Sequence, residues 1–71
     1  MNYNIEWEET EGGYEAYVGD ICIGGMVSHE TWYWCESGTR EDCDDYIAEG
    51  LDEGKHWVEA RFRGWLEGLV G

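Results

Sequence analysis

Basic residues are almost absent from the first three quarters of this 71-residue chain. Of the four Lys and Arg, only Arg40 lies within residues 1–53, whereas 15 of the 17 Asp and Glu lie there. That stretch carries about −14, and residues 54–71 carry about +1. A charge this one-sided repels nucleic acids and membranes and attracts basic protein surfaces. We therefore expect a basic protein partner, with no direct nucleic-acid binding and no membrane.

The sequence also lacks an apolar N-terminal run that could serve as a signal peptide or a membrane span. Its three cysteines, Cys22, Cys35 and Cys43, form no close pair. Separated thiols in an odd number are typical of a reducing compartment. We expect a cytoplasmic protein, a monomer or small homo-oligomer, although a Cys22–Cys35 bridge stays open if their strands are neighbours.

No catalytic motif is present, and two metal-site patterns fail. Asp42, Asp44 and Glu53 match positions 1, 3 and 12 of an EF-hand loop, but Ile47 stands where the sharp turn needs glycine. The cysteines and His29 offer zinc ligands without a C-x-x-C pair. We therefore predict no metal, no cofactor and no enzymatic activity.

Large aromatic side chains supply the core material. The chain has five Trp, five Tyr and one Phe, and each buried aromatic removes roughly 150–250 Å² from water. That is enough for a domain near the lower size limit to fold despite its high net charge. We predict a single domain spanning residues 1–71.

The first half alternates with the period of a half-buried β-strand. Ile5 and Trp7 alternate with Glu6 and Glu8, and Gly19-Asp20 reads as a two-residue hairpin turn. The predicted strands span 3–9, 14–18, 21–27 and 31–36.

A consistent register supports an antiparallel meander. If 18 pairs with 21, then 16 opposes 23 and 14 opposes 25, and a 9–14 pair places the first strand in phase. The residues then sharing the inner face are Ile5, Trp7, Tyr14, Ala16, Val18, Ile21, Ile23 and Val27. Gly24-Gly25 interrupts the third strand, either as a bulge or where another element approaches closely.

The second half carries a helical stripe with 3–4 spacing, running through Cys43, Ile47, Gly50 or Leu51, Gly54, Val58, Phe62, Trp65 or Leu66, and Leu69. It predicts one helix over about 40–69, either continuous or kinked near Gly50–Gly54, in preference to two helices. Gly50 and Gly54 lie on the inward stripe, which predicts close packing of the helix over Ala16 and Gly25. The predicted fold class is α+β: an antiparallel meander of three to four strands packed against one long C-terminal helix.

The carboxylates are predicted to form two acidic surfaces. On the helix, members three or four residues apart lie about 4.5–6 Å apart along the axis, comparable with one phosphate per roughly 3.4 Å along a nucleic-acid strand. The helix surface comprises Glu41, Asp45, Glu49, Asp52 and then Glu59, flanked by Asp42, Asp44 and Glu53. The strand surface comprises Glu6, Glu8 and Glu15.

These acidic surfaces favour partner binding over plain solubility. Ordinary solvated faces mix Lys with Glu, whereas here the counter-charges are missing and like charges at i,i+4 repel. A third interpretation, a salt-adapted protein of unrelated role, remains open.

A further alternative is a non-mimic protein-binding module, an antitoxin or regulatory adaptor. It would bind through exposed side chains such as Tyr17, Met26, Tyr33, Tyr46 and Trp57.

In length, carboxylate density and the predicted arrangement of strands and helix, the chain resembles the small acidic phage-encoded anti-CRISPR proteins that mimic DNA. The resemblance covers the whole chain in style, without a residue motif. It implies inhibition of a CRISPR effector subunit in the host cytoplasm, through the basic groove with which a type I surveillance complex reads the protospacer-adjacent motif. Other basic DNA-binding proteins are permitted by the same physics.

Overall fold

A computed structural model of the chain describes residues 4–38 and 43–70, with side chains described as far as Gly68. Five strands form one antiparallel sheet in the order β1-β2-β3-β4-β5, followed by one helix. The elements are β1 Glu6–Thr10, β2 Gly13–Val18, β3 Ile21–Ser28, β4 Tyr33–Gly38, β5 Cys43–Ala48 and α1 Leu51–Val70. The predicted α+β class with a meander is confirmed, but the sheet has five strands instead of three to four.

The β2–β3 turn lies where the sequence predicts it. Val18 pairs with Ile21 across Gly19-Asp20, and Gly19 takes a φ of 62°. A positive φ at the first turn residue alone is the pattern of a type II′ turn, which glycine adopts without steric cost. The predicted 9–14 pair also forms, between Glu9 and Tyr14.

A bulge in β3 changes the register beyond that turn. Ala16 pairs with Gly24 and Tyr14 with Met26, so the predicted 16–23 and 14–25 pairs are wrong by one residue. The extra residue reverses the alternation of β3. Met26 is therefore buried, whereas Val27 is exposed on the opposite face, contrary to both predictions.

The β3–β4 connection contains Trp32, which was predicted to lie in the fourth strand. The main-chain N–H of His29 donates to the carbonyl of Trp32 at 2.9 Å, and the two rings stack with centroids 3.9 Å apart. Residues 29–32 therefore form the connection between β3 and β4, and β4 begins at Tyr33 instead of residue 31.

Residues 43–48 form a strand, and the prediction of a helix starting near residue 40 is wrong. Every residue of β5 pairs with a residue of β4. This pairing satisfies backbone N–H and C=O groups of β4 that would otherwise lie unpaired at the edge of the sheet. Asp44, Tyr46 and Ala48 face the helix, and Cys43, Asp45 and Ile47 face away. The helix begins only at Leu51, after the bend at Gly50, with Asp52 and Glu53 in its first turn, where the helix dipole favours carboxylates.

The helix packs along β3, β4 and β5. Its buried stripe is Gly54, Val58 and Phe62, as the 3–4 spacing predicts. The core that it closes contains Ala16, Ile23, Met26, Cys35 and Ala48. The hydroxyl of Ser37 donates to the Val58 carbonyl at 3.2 Å, so the only buried polar side chain of the described core is satisfied.

At Gly54 the helix backbone lies close to side chains of the sheet. A Cβ there would overlap Met26 Sδ and lie 3.1 Å from Cys35 Sγ, whereas one at Gly50 would meet nothing within 4 Å. The predicted close packing of glycine therefore holds at Gly54, but its partners are Met26, Cys35 and Ala48 instead of Ala16 and Gly25.

The three cysteines are free thiols: Cys22 and Cys43 are exposed and Cys35 is buried. Burial raises the pKa of the Cys35 thiol above its usual value. Among the described residues, no helix combines the length and apolar character needed to cross a membrane.

Two glycine substitutions on α1 test this packing. Gly54→Ala should lower the free energy of unfolding by about 1 kcal/mol, because overpacking a buried contact costs about 1–3 kcal/mol and outweighs the gain in helix propensity. Gly64→Ala, where a Cβ meets nothing, should raise it by about 1 kcal/mol. Urea denaturation measures both. Equal stabilisation by the two substitutions would contradict the close approach at Gly54.

Candidate protein-binding face

One face of the sheet carries α1, and the described part of the chain places no element over the other. We call this second surface the open face. Two rows of side chains cross it, perpendicular to the strands. The first is Glu8, Glu15, Gly25, Glu36 and Asp45, and the second is Thr10, Gly13, Val27, Trp34 and Ile47.

The first row places a carboxylate on four of the five strands. Its members are direct cross-strand partners, Glu8 with Glu15 and Glu36 with Asp45, and Gly25 separates the two pairs. Since neighbouring strands lie about 4.8 Å apart, the row extends about 19 Å. The open face therefore carries a line of negative charge with one central gap.

This carboxylate row has no basic counter-charge among the described residues. Lys55 lies 5.8 Å from the Trp7 ring centroid and 5.5 Å from that of Tyr14, and the two other described basic residues pair with carboxylates near or on α1. Those pairs are Arg61 with Asp44 and Arg63 with Glu59. All three cations belong to α1, on the far side of the sheet. Like charges directly opposite one another on a sheet are destabilising. The row therefore lowers the stability of the fold, and it is present nonetheless.

Tyr17 orients one carboxylate of the row. Its hydroxyl donates to Oε2 of Glu15 on the same strand. This hydrogen bond, with burial and the negative charge of Glu15, raises the pKa of Tyr17 to about 12. The phenol therefore stays protonated, and can donate to Glu15, to a higher pH than an ordinary tyrosine would.

The second row is apolar at its centre and at the β5 edge. Val27, Trp34 and Ile47 are direct neighbours across β3, β4 and β5 and are 48%, 41% and 62% exposed. Three adjacent exposed apolar side chains form a patch, and aromatic residues are enriched at protein–protein interfaces. The patch lies one pleat away from the carboxylate row.

A depression of about 520 Å³ lies on the open face between these features. Gly25 and Gly38 contribute bare backbone to it, Trp34 and Val27 line one side, and Cys22 and Cys43 also border it. Gly38 has a φ of 131°, a conformation that favours glycine. The depression can accept a protruding group from a partner.

The acidic helix surface predicted from the sequence does not form, because Asp45 lies on β5 and not on the helix. Asp44 faces α1 and pairs with Arg61, and Glu53 accepts a hydrogen bond from Tyr46 at 2.8 Å. Asp52 is exposed in the first turn of α1, and Glu49 is exposed in the preceding connection. Glu41 and Asp42 lie outside the described residues.

The predicted strand surface lies on the open face, and Asp45 joins it. Glu6, Glu8 and Glu15 alternate there with inward residues. Glu36 was missed, although it shares the phase of Trp34 in the predicted fourth strand and could have been found by continuing the alternation. The cross-strand alignment of Glu36 with Gly25 and Asp45 depends on the β5 pairing, which was not predicted from the sequence, and on the register beyond the β3 bulge. Gly24-Gly25 indicates a candidate bulge there but does not fix that register.

Most of the aromatic residues proposed as anchors belong to the helix side. Tyr46 stacks on Trp57, with ring centroids 5.3 Å apart, and Tyr33 lies against Tyr14 at 6.5 Å. Of the predicted set only Tyr17 faces the open side, where Trp34, Val27 and Ile47 supply the apolar surface.

Within residues 4–38 and 43–70, no group of three or more His, Cys, Asp or Glu side chains could hold a metal ion. The arrangement offers charge, an apolar patch and a depression, which together suit binding of a cationic and partly apolar surface.

No protein-family model, curated protein or solved structure matches the chain.

The Tyr17–Glu15 hydrogen bond predicts a specific titration. In the wild type, Tyr17 should ionise near pH 12, because ionisation removes the donated proton and places two negative charges together. Glu15→Gln should return its pKa toward 10, the ordinary value for tyrosine. NMR titration of the tyrosine rings measures this.

The matched control is Glu53→Gln. It removes the carboxylate that raises the pKa of Tyr46 and should leave Tyr17 unchanged. Ionisation of wild-type Tyr17 near pH 10 would show that Glu15 is not held in this way.

Proposed function

We propose that this protein is an acidic DNA-mimic inhibitor, whose open face occupies the basic DNA-binding groove of a nucleic-acid-binding complex. The carboxylate row is the observation that carries the proposal. Four carboxylates within about 19 Å compare with about six phosphates on one DNA strand over the same length. Lys and Arg side chains that hold a run of phosphates would therefore meet four negative groups along the same length, at a lower density than on DNA.

The cost of the row supports a role in binding. Two like-charge pairs lie directly across strands, and the described basic residues lie on the helix side, where Arg61 and Arg63 pair with other carboxylates and Lys55 lies over aromatic rings. An ordinary soluble surface would intersperse Lys among these positions. A binding surface for cations explains why the charges stay together and uncompensated.

The target suggested by the resemblance to anti-CRISPR proteins is the groove with which a type I CRISPR surveillance complex reads the protospacer-adjacent motif. Inhibition would be competitive, because target DNA and the open face would need the same Lys and Arg residues. Charge would accelerate association, and contacts with Val27, Trp34 and Ile47 would slow dissociation.

Charge reversal on the open face tests the proposal. In Glu8→Lys/Glu36→Lys each new Lys lies opposite a carboxylate, Glu15 or Asp45, so repulsion within the sheet becomes attraction and the fold is retained. Immobilised wild-type protein should retain a DNA-binding complex from bacterial lysate that added duplex DNA displaces. The double variant should associate with that complex at least about tenfold more slowly at low salt.

The matched control is Asp52→Lys/Glu67→Lys on α1. It changes the net charge equally, and its effects on the two helix ends oppose each other. It should retain binding within about threefold, since long-range steering depends only weakly on charges away from the interface. Loss of binding in this control with retention in the open-face variant would place the interface on the helix and reject the proposed face.

A non-mimic protein-binding module is the second candidate, favoured by the exposed row of Val27, Trp34 and Ile47. Such a module would lose its partner with Trp34→Ser/Ile47→Ser and keep it with Glu8→Lys/Glu36→Lys. Duplex DNA would not displace its partner. This pattern would replace the DNA-mimic proposal with the module.

A further inference from the structure

The gap in the carboxylate row at Gly25 is bordered by a glutamate on each of two sides and by a tryptophan on a third. Gly25 lies between Glu15 on β2 and Glu36 on β4, whose Cα atoms are two strand spacings, or about 10 Å, apart. Both carboxylate side chains are long enough to reach over the bare backbone between them. A cation above Gly25 would therefore have a negative group on each side.

Trp34 provides the third wall. It belongs to the neighbouring row on β4, borders the same depression and leaves 41% of its surface exposed. An aromatic face attracts a cation placed within about 6 Å of its centroid. Glu15 is already oriented by the Tyr17 hydroxyl through Oε2, which leaves its other oxygen as an acceptor.

Two acceptors on opposite sides and an aromatic wall match a guanidinium group better than an ammonium group. Guanidinium is planar, has five donors in a fixed fork, and stacks on aromatic rings while donating in its own plane. An ammonium group is a compact, strongly hydrated point charge. The depression would therefore favour an arginine over a lysine side chain, although the two carry equal charge.

We propose that the gap over Gly25 is a binding site for an arginine side chain of the basic partner, held between Glu15 and Glu36 and against Trp34. This inference rests on the function proposed above and names the group that the open face would recognise.

Labelled decapeptides of arginine and of lysine test the site on the full chain, by fluorescence anisotropy at physiological ionic strength. The wild type should bind the arginine peptide about fivefold more tightly than the lysine peptide. Trp34→Leu and, separately, Glu36→Gln should reduce that ratio below about twofold. Glu67→Gln on α1, which removes the same charge as Glu36→Gln, should leave the ratio unchanged.

Thiol labelling locates the bound peptide. Cys22 and Cys43 are exposed and border the depression, whereas Cys35 is buried. The arginine peptide should slow maleimide labelling of Cys22 and Cys43, and this protection should weaken in Trp34→Leu. Urea denaturation of each variant shows that the fold is retained, and Glu36→Gln supplies a second test if Trp34→Leu is unstable.

Equal affinity for the two peptides, or an arginine preference that survives both substitutions, would overturn the arginine site. The DNA-mimic function would then still be judged by displacement of the captured complex with duplex DNA. An arginine preference that depends on Trp34 and Glu36, without any DNA-displaceable partner, would support the site and reject the mimicry.

Discussion

One helix can cover only one face of a five-stranded sheet, and the rest of this molecule follows from that constraint. The helix is about 10–12 Å wide with its side chains, and it packs along β3, β4 and β5. With no second layer described, the opposite face stays in contact with solvent, as one face of many antiparallel sheets does. What distinguishes this face is its chemistry, because it combines a row of like charges with an apolar row where a mixed polar surface would cost less.

The two faces divide the charged residues between them. The described cations all belong to α1: Arg61 pairs with Asp44, Arg63 with Glu59, and Lys55 lies over aromatic rings of β1 and β2. Glu59 also accepts a hydrogen bond from the Trp7 indole at 2.9 Å, which ties β1 to the helix. The described positive charges thus take part in ion pairs and cation–π contacts on the helix side of the molecule. The open face keeps a row of carboxylates without a described counter-charge, beside a glycine-lined depression and the exposed ring of Trp34.

The sequence predicts much of the fold and only part of the candidate site. Alternation in residues 5–18 and the 3–4 stripe from Gly54 to Leu66 are local patterns, and both are confirmed. Cys43 and Ile47 extend the helical stripe by coincidence, so the spacing alone assigned residues 43–48 to a helix. Their strand conformation is decided by pairing with β4. Likewise, because of the β3 bulge, Met26 lies in the core and Val27 lies on the exposed face. Residues 43–48 have no local signature strong enough to override the apparent helical period, and Gly24-Gly25 indicates a candidate bulge without fixing the register beyond it.

By itself, the sequence determined the excess of carboxylates, the first three strand positions and the buried stripe of the helix, because each depends on residues close together along the chain. Only the tertiary structure decided which carboxylates stand side by side. Glu8, Glu15, Glu36 and Asp45 come from four different strands, and their alignment depends on every intervening register, including one shifted by a bulge. A single change of register by one residue would have turned a strand's carboxylate toward the core, so the row is a property of the assembled sheet.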